Sequence, residues 1–205
     1  MTRRWALTMA SAAAVAATLV IATPVLAQPA AAPQGPTAKD PIRFSSFAVS
    51  MQAGAAGDVE IAVERWTTDD ERTMLINTMA KGGQKALLSA LQGIKVRCGF
   101  IRTANSIGYE LRYCRDNVLA DGTRQLVIAT DKPVSFLAAA GQARTLDYPF
   151  TIVEMRFAKD SLKGEGKMLV GTALSVKNGR LELENYGQEP VRLPQITQHA
   201  EKAKK

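Results

Sequence analysis

The chain has 205 residues, with 26 Lys and Arg against 19 Asp and Glu, a formal charge of +7, two cysteines and one histidine. A single histidine, His199 near the C-terminus, excludes Ser-His-Asp triads and histidine-rich metal sites. Three lysines against one glutamate in His199 to Lys205 supply part of the basic excess, and elsewhere acids and bases alternate without the interleaved aromatics of a nucleic-acid footprint.

Residues 1–27 read as a secretory signal peptide: Arg3 and Arg4, a long uncharged apolar run, then Val25-Leu26-Ala27 as a small-residue cleavage site. Cleavage after Ala27 predicts a periplasmic or secreted protein with no transmembrane span, and loss of Arg3 and Arg4 lowers the charge by two, to +5. Residues 28–41 form a Pro/Ala-rich linker without apolar period. A single β-rich domain is expected over 42–194, a size that buries about two-thirds of its surface in one core, followed by a basic disordered tail over 195–205.

Ile42 to Met51 alternates in two runs whose phase slips at Ser45-Ser46, which predicts a bulged strand. Val59, Ile61 and Val63 alternate with Glu60, Ala62 and Glu64 as a half-buried strand. Thr68 and Glu71 then form a capping box, and the stripe Leu75, Ile76, Met79, Gly83, Ala86, Leu87, Ala90, Leu91 and Ile94 keeps helical phase, as one helix or as two broken at Gly82-Gly83. Further strands are expected over Arg124 to Thr130 and Tyr148 to Phe157, with a short helical turn at Phe136-Leu137. Asn178-Gly179 is a type I′ hairpin turn that pairs Leu174 with Leu183 and Val176 with Leu181, and Pro190 and Pro194 close the sheet.

The stretch Lys95 to Asp116 reads as a hairpin. Centring its turn on Ser106 opposes Arg102 to Glu110, Ile101 to Leu111 and Gly99 to Tyr113, and brings Cys98 opposite Cys114. In an exported chain that pairing predicts a structural disulfide. The same register opposes Arg97 and Arg115, like charges that need a carboxylate such as Asp116 or a neighbouring-strand glutamate, or a bound anion; these two are the candidate ligand-binding residues.

No nucleophile elbow, metalloprotease helix, phosphate-binding glycine loop or Cys/His metal spacing is present, so no catalytic residue, metal or cofactor is assigned. Glu60 with Glu64, and Asp147 with Glu154, are the carboxylates available for acid/base work if they converge. The fold class predicted is mainly β: about eight antiparallel strands in a meander, closed as a barrel or folded as a sandwich, with one helical insertion between strands 2 and 3.

Together VEIAVERWTTDDER, GFIRT, LRYCRD, ATDKP, DYPFTIVEMRF, GEGKM and LENYGQEPVRL resemble a family of small secreted bacterial proteins of unassigned function, over most of Phe44 to Pro194. The resemblance implies a recurring exported domain and brings no activity or cofactor. The expected function is an exported non-enzymatic domain that binds an apolar or amphipathic small ligand. The alternatives are an envelope-associated protein-interaction module and a carboxylate-dependent hydrolase or lyase.

Overall fold

The computed structural model describes residues 35–104, 106–134, 149–177, 180–184 and 189–199. The signal peptide, most of the linker, the Phe136-Leu137 turn, Asp147, the Asn178-Gly179 turn and the last residues of the tail lie outside the described residues.

The strands are β1 (Ile42–Ser50), β2 (Ala55–Val63), β3 (Gly99–Thr103), β4 (Tyr109–Leu111), β5 (Tyr113–Val118), β6 (Arg124–Thr130), β7 (Phe150–Phe157), β8 (Lys163–Lys177), β9 (Arg180–Glu184) and β10 (Val191–Gln198). One helix, α1 (Asp69–Gly93), stands between β2 and β3. All ladders are antiparallel, in the order β4-β3-β2-β1-β10-β8-β7-β6-β5, with β9 attached to β8 alone. The two ends of this path, β4 and β5, are consecutive in the chain and separated only by Arg112. The sheet therefore curls nearly into a barrel whose seam is that one interrupted strand. Arg112 N–H holds the seam to β6 by donating to the Ala129 carbonyl at 2.9 Å.

Period-2 alternation turns one face of each strand inward. Phe44, Val59, Ile61, Ile101, Leu126, Ile128, Val153, Met155, Phe157, Met168, Leu193 and Ile196 pack together as the barrel interior, each at most 3% exposed. A second, smaller cluster lies outside the barrel, where Leu75, Met79, Leu87 and Leu91 of α1 cover Phe150 and the flanking Tyr113, Ile152 and Leu174.

The helix begins as its sequence dictates: Thr68 Oγ1 accepts from Glu71 N–H, and the Glu71 carboxylate accepts from Thr68 N–H. Gly83 leaves helical geometry (φ 65°, ψ −161°), so of the two forms the sequence allows the structure takes the broken one. The helix kinks there, and a single arginine, Arg65, reaches both Glu71 in the first turn and the Val96 carbonyl beyond the last.

The last hairpin has the predicted register, Ala173 to Lys177 against Glu184 to Arg180. The first does not. In β3 and β4 Gly99 pairs with Leu111, Phe100 with Glu110 and Ile101 with Tyr109, while Cys114 belongs to β5 and pairs with Ile128. The extra residue at Arg112 shifts the phase, so Leu111 points into the barrel and Tyr113 out toward the helix.

The fold also extends past the expected boundaries. Pro36 is buried and Gly35 lies against the Trp66 indole. At the other end Pro194 does not close the sheet: it sits inside β10 between Leu193 and Ile196, where the register shifts and a missing N–H is tolerated. His199 N–H then donates to the Arg43 carbonyl, and its ring nitrogen Nε2 lies 2.9 Å from Ser45 Oγ, so residues 195–199 belong to the fold and not to the tail.

Candidate functional site

The sequence-predicted site residues meet at the seam. Glu64 to Thr67 leaves β2 and runs between the start of β3 and β5. Glu64 N–H and Arg65 N–H donate to the Cys98 carbonyl at 2.8 and 3.2 Å, and Thr67 N–H donates to the Cys114 carbonyl at 2.8 Å. Cys114 N–H in turn donates to Thr67 Oγ1 at 3.0 Å, and that hydroxyl lies 3.5 Å from Cys98 Sγ.

Both cysteines are wholly buried and both are free thiols, 4.5 Å apart. The expected cross-strand disulfide is not seen in this structure, and the register that would have opposed the two residues is displaced, with Gly99 paired to Leu111. The neighbouring Cys114 side chain outweighs burial at Cys98, and with Thr67 and the Arg65 charge brings its pKa down to about 7. Burial pushes the Cys114 thiol well above its usual value. Cys98 is thus the sulfur that loses its proton first.

Arg97 and Arg115 do not oppose each other. Arg97 makes two bonds to the Glu64 carboxylate at 2.8 and 2.9 Å, and Arg115 pairs with Asp69 at 2.7 Å while donating to the Thr67 carbonyl. Carboxylates serve both, as like charges near a sheet require, and Asp116 instead takes Arg124. Each of the two is therefore balanced by a carboxylate of its own.

Two arginines that sequence reasoning passed over hold the region together. Arg65 grips Glu71 with both terminal nitrogens at 2.8 and 3.0 Å, and donates to the Val96 carbonyl at 2.7 Å. Arg112 donates to the Ile94 carbonyl at 2.9 Å, pairs with Glu110 at 2.7 Å and lies 3.7 Å from the buried Asp131 carboxylate. Arg65 had a signal, since it stands just before the capping box. Arg112 had none beyond its neighbour Glu110, because its other partners, Ile94, Ala129 and Asp131, come from segments distant in sequence.

Beside this seam is a shallow groove of about 430 Å³, lined by Arg65, Glu71, Met74, Ile94, Lys95 and Val96. Met74 is 41% exposed and Val96 64%. A second groove of about 440 Å³ runs along the first helical segment across Asp70, Met74, Asn77 and Lys81. Both lie outside the barrel.

Of the candidate acids, Asp147 lies outside the described residues, and each of the others has a basic neighbour. Glu60 lies opposite Arg102 in the β2/β3 ladder and Glu64 is held by Arg97. Burial raises the Glu154 carboxyl, but hydrogen bonds from Gln125, Arg156 and Lys167 outweigh it and bring the pKa down to about 2. Such a group is ionised at neutral pH and is no proton donor. Its folded pKa is depressed, so the stability it contributes is complete above the unfolded carboxylate value near 4.5 and is lost as pH falls toward about 2. Glu154→Gln should therefore be less stable than the parent at neutral pH and equal to it at about pH 2, read as urea midpoints across that range. A constant difference at all pH would show that the lost packing, and not the charge, matters.

Among the described residues no group of three or more His, Cys, Asp or Glu side chains is placed to hold a metal ion, and no helix is long and apolar enough to cross a membrane. No family model, curated protein or solved structure matches this chain.

Proposed function

We propose that this is an exported, non-enzymatic binding domain whose contact surface is the outer groove between α1 and the seam, and that its partner is a protein of the cell envelope. The observation that carries this reading is the distribution of apolar surface: the barrel is filled by its own side chains, while Met74 and Val96 stand open beside Ile94 at a rim made by Arg65, Glu71 and Lys95. An apolar floor with a charged rim is the usual anatomy of a protein contact. An apolar ligand inside the barrel would need a cavity of several hundred Å³, and the close-packed interior lends that reading no support. The hydrolase or lyase alternative would need two acids with separated pKa values, and Glu64 and Glu154 are each neutralised by a basic neighbour.

A photo-crosslinking residue placed at Val96 tests the proposal in cells that export the protein, with Gln195, exposed on β10, as the control position. The expected result is a discrete protein adduct from position 96 that is lost when Met74→Asp is added, and none from position 195. Equal adducts at the two positions, or none at either, would overturn it.

A further inference from the structure

The two thiols at the seam have no part in the proposed contact surface, yet they are placed for chemistry. The two cysteines lie 4.5 Å apart and share the Thr67 hydroxyl as a neighbour. Cys114 sits in the β5/β6 ladder, whereas the backbone on the Cys98 side is held by isolated bonds. Cys98 precedes β3 at the end of the irregular stretch Ile94 to Cys98, and Glu64 to Thr67 carries no strand either. The strand that should close the barrel is interrupted at Arg112, two residues from Cys114.

We propose that Cys98 and Cys114 form a reversible dithiol/disulfide couple, reduced in this structure, and that its oxidation fastens the barrel seam. The oxidant is a small disulfide such as oxidised glutathione. The Cys98 thiolate attacks one sulfur of that disulfide and releases one glutathione thiolate, leaving a mixed disulfide on Cys98. Cys114 then loses its proton and attacks the Cys98 sulfur, expelling the second glutathione thiolate. Two protein thiols become one disulfide, and one oxidised glutathione becomes two reduced ones. The lowered pKa of Cys98 agrees with its role as the first attacker. Since both sulfurs are buried, exchange requires Glu64 to Thr67 and Lys95 to Cys98 to part from β5. The reaction is therefore slow in the native state and is limited by local opening. Once formed, the bond joins the two sides of the seam across the gap that Arg112 leaves in the ladder.

The test uses the folded, reduced protein and oxidised glutathione, with intact mass and thermal midpoint as readouts. The expected product has lost two hydrogens, carries no glutathione, forms faster in low urea, and melts roughly 5–10 °C higher. Cys114→Ser should stop at a single glutathione adduct, and Cys98→Ser should gain far less. If either variant fails to fold, the mass and midpoint of the parent protein still decide the matter. A lasting glutathione adduct on the parent protein, two thiols that survive even unfolding and refolding in oxidised glutathione, or a bridged product that melts no higher than the reduced one would each overturn the proposal.

Discussion

Phe157→Ala should cost about 4 kcal/mol and turn a filled barrel into one that binds benzene. Phe157 is wholly buried, its ring centroid 5.8 Å from that of Phe44, and it lies over Gly164, where a Cβ would come within 2.7 Å of the ring. The Arg124 guanidinium sits 5.7 Å from the ring centroid and is itself held by Asp116 and Gln198. With neighbours fixed by ladders on both sides, the gap left by the ring cannot collapse fully, and the loss includes both transfer and cavity contributions. Urea unfolding followed by Trp66 fluorescence gives the first number. The second readout is the thermal midpoint with and without benzene, which should rise for the variant and stay unchanged for the parent. Equal stabilisation of the parent would mean that the barrel already holds a void, and would return weight to a small apolar ligand. A loss under about 2 kcal/mol would mean that the packing around Phe157 is looser than its burial indicates.

Gly99→Ala should be of similar size, about 3 kcal/mol or more, for the opposite reason. A Cβ at Gly99 would stand 2.0 Å from the Ala62 carbonyl oxygen and 3.0 Å from both the Ala62 carbonyl carbon and Val63 Cα. All three are backbone atoms of the paired strand, so no side chain can rotate out of the way. The methyl would push β3 off β2 at the point where Glu64 and Arg65 reach the Cys98 carbonyl, and would open the seam. Gly93→Ala is the matched control: it ends α1 with nothing within 4 Å of an added Cβ, and the change should be neutral or slightly stabilising. Equal unfolding midpoints for the two variants would show that the β2/β3 contact yields more easily than its geometry implies.

Elements whose cause is local were legible in the sequence. The capping box at Thr68 and Glu71 is satisfied by side chains three residues apart, and the phase of Leu75, Met79, Leu87 and Leu91 alone names the face of α1 that packs on the sheet. The register of the last hairpin follows from the length of its turn, and the antiparallel meander with a helix after the second strand follows from the order of short connections. Tertiary structure decided the rest. Two cross-strand pairings, Arg102 with Glu110 and Ile101 with Leu111, favour a register in which Cys98 meets Cys114, yet the observed ladder is displaced by two residues. In the barrel β4 must pair with β3 while β5 pairs with β6, and the strand can serve both only by inserting Arg112. The partners that make this insertion tolerable, Ala129, Asp131 and Ile94, come from distant segments, and no period in the chain announces them. Whether the thiols are bonded, which carboxylate meets Arg97 or Arg115, and whether the barrel has room inside all depend on that closure. Each is set by contacts between residues far apart in sequence, where a shift of one residue in one strand turns every following side chain to the other face.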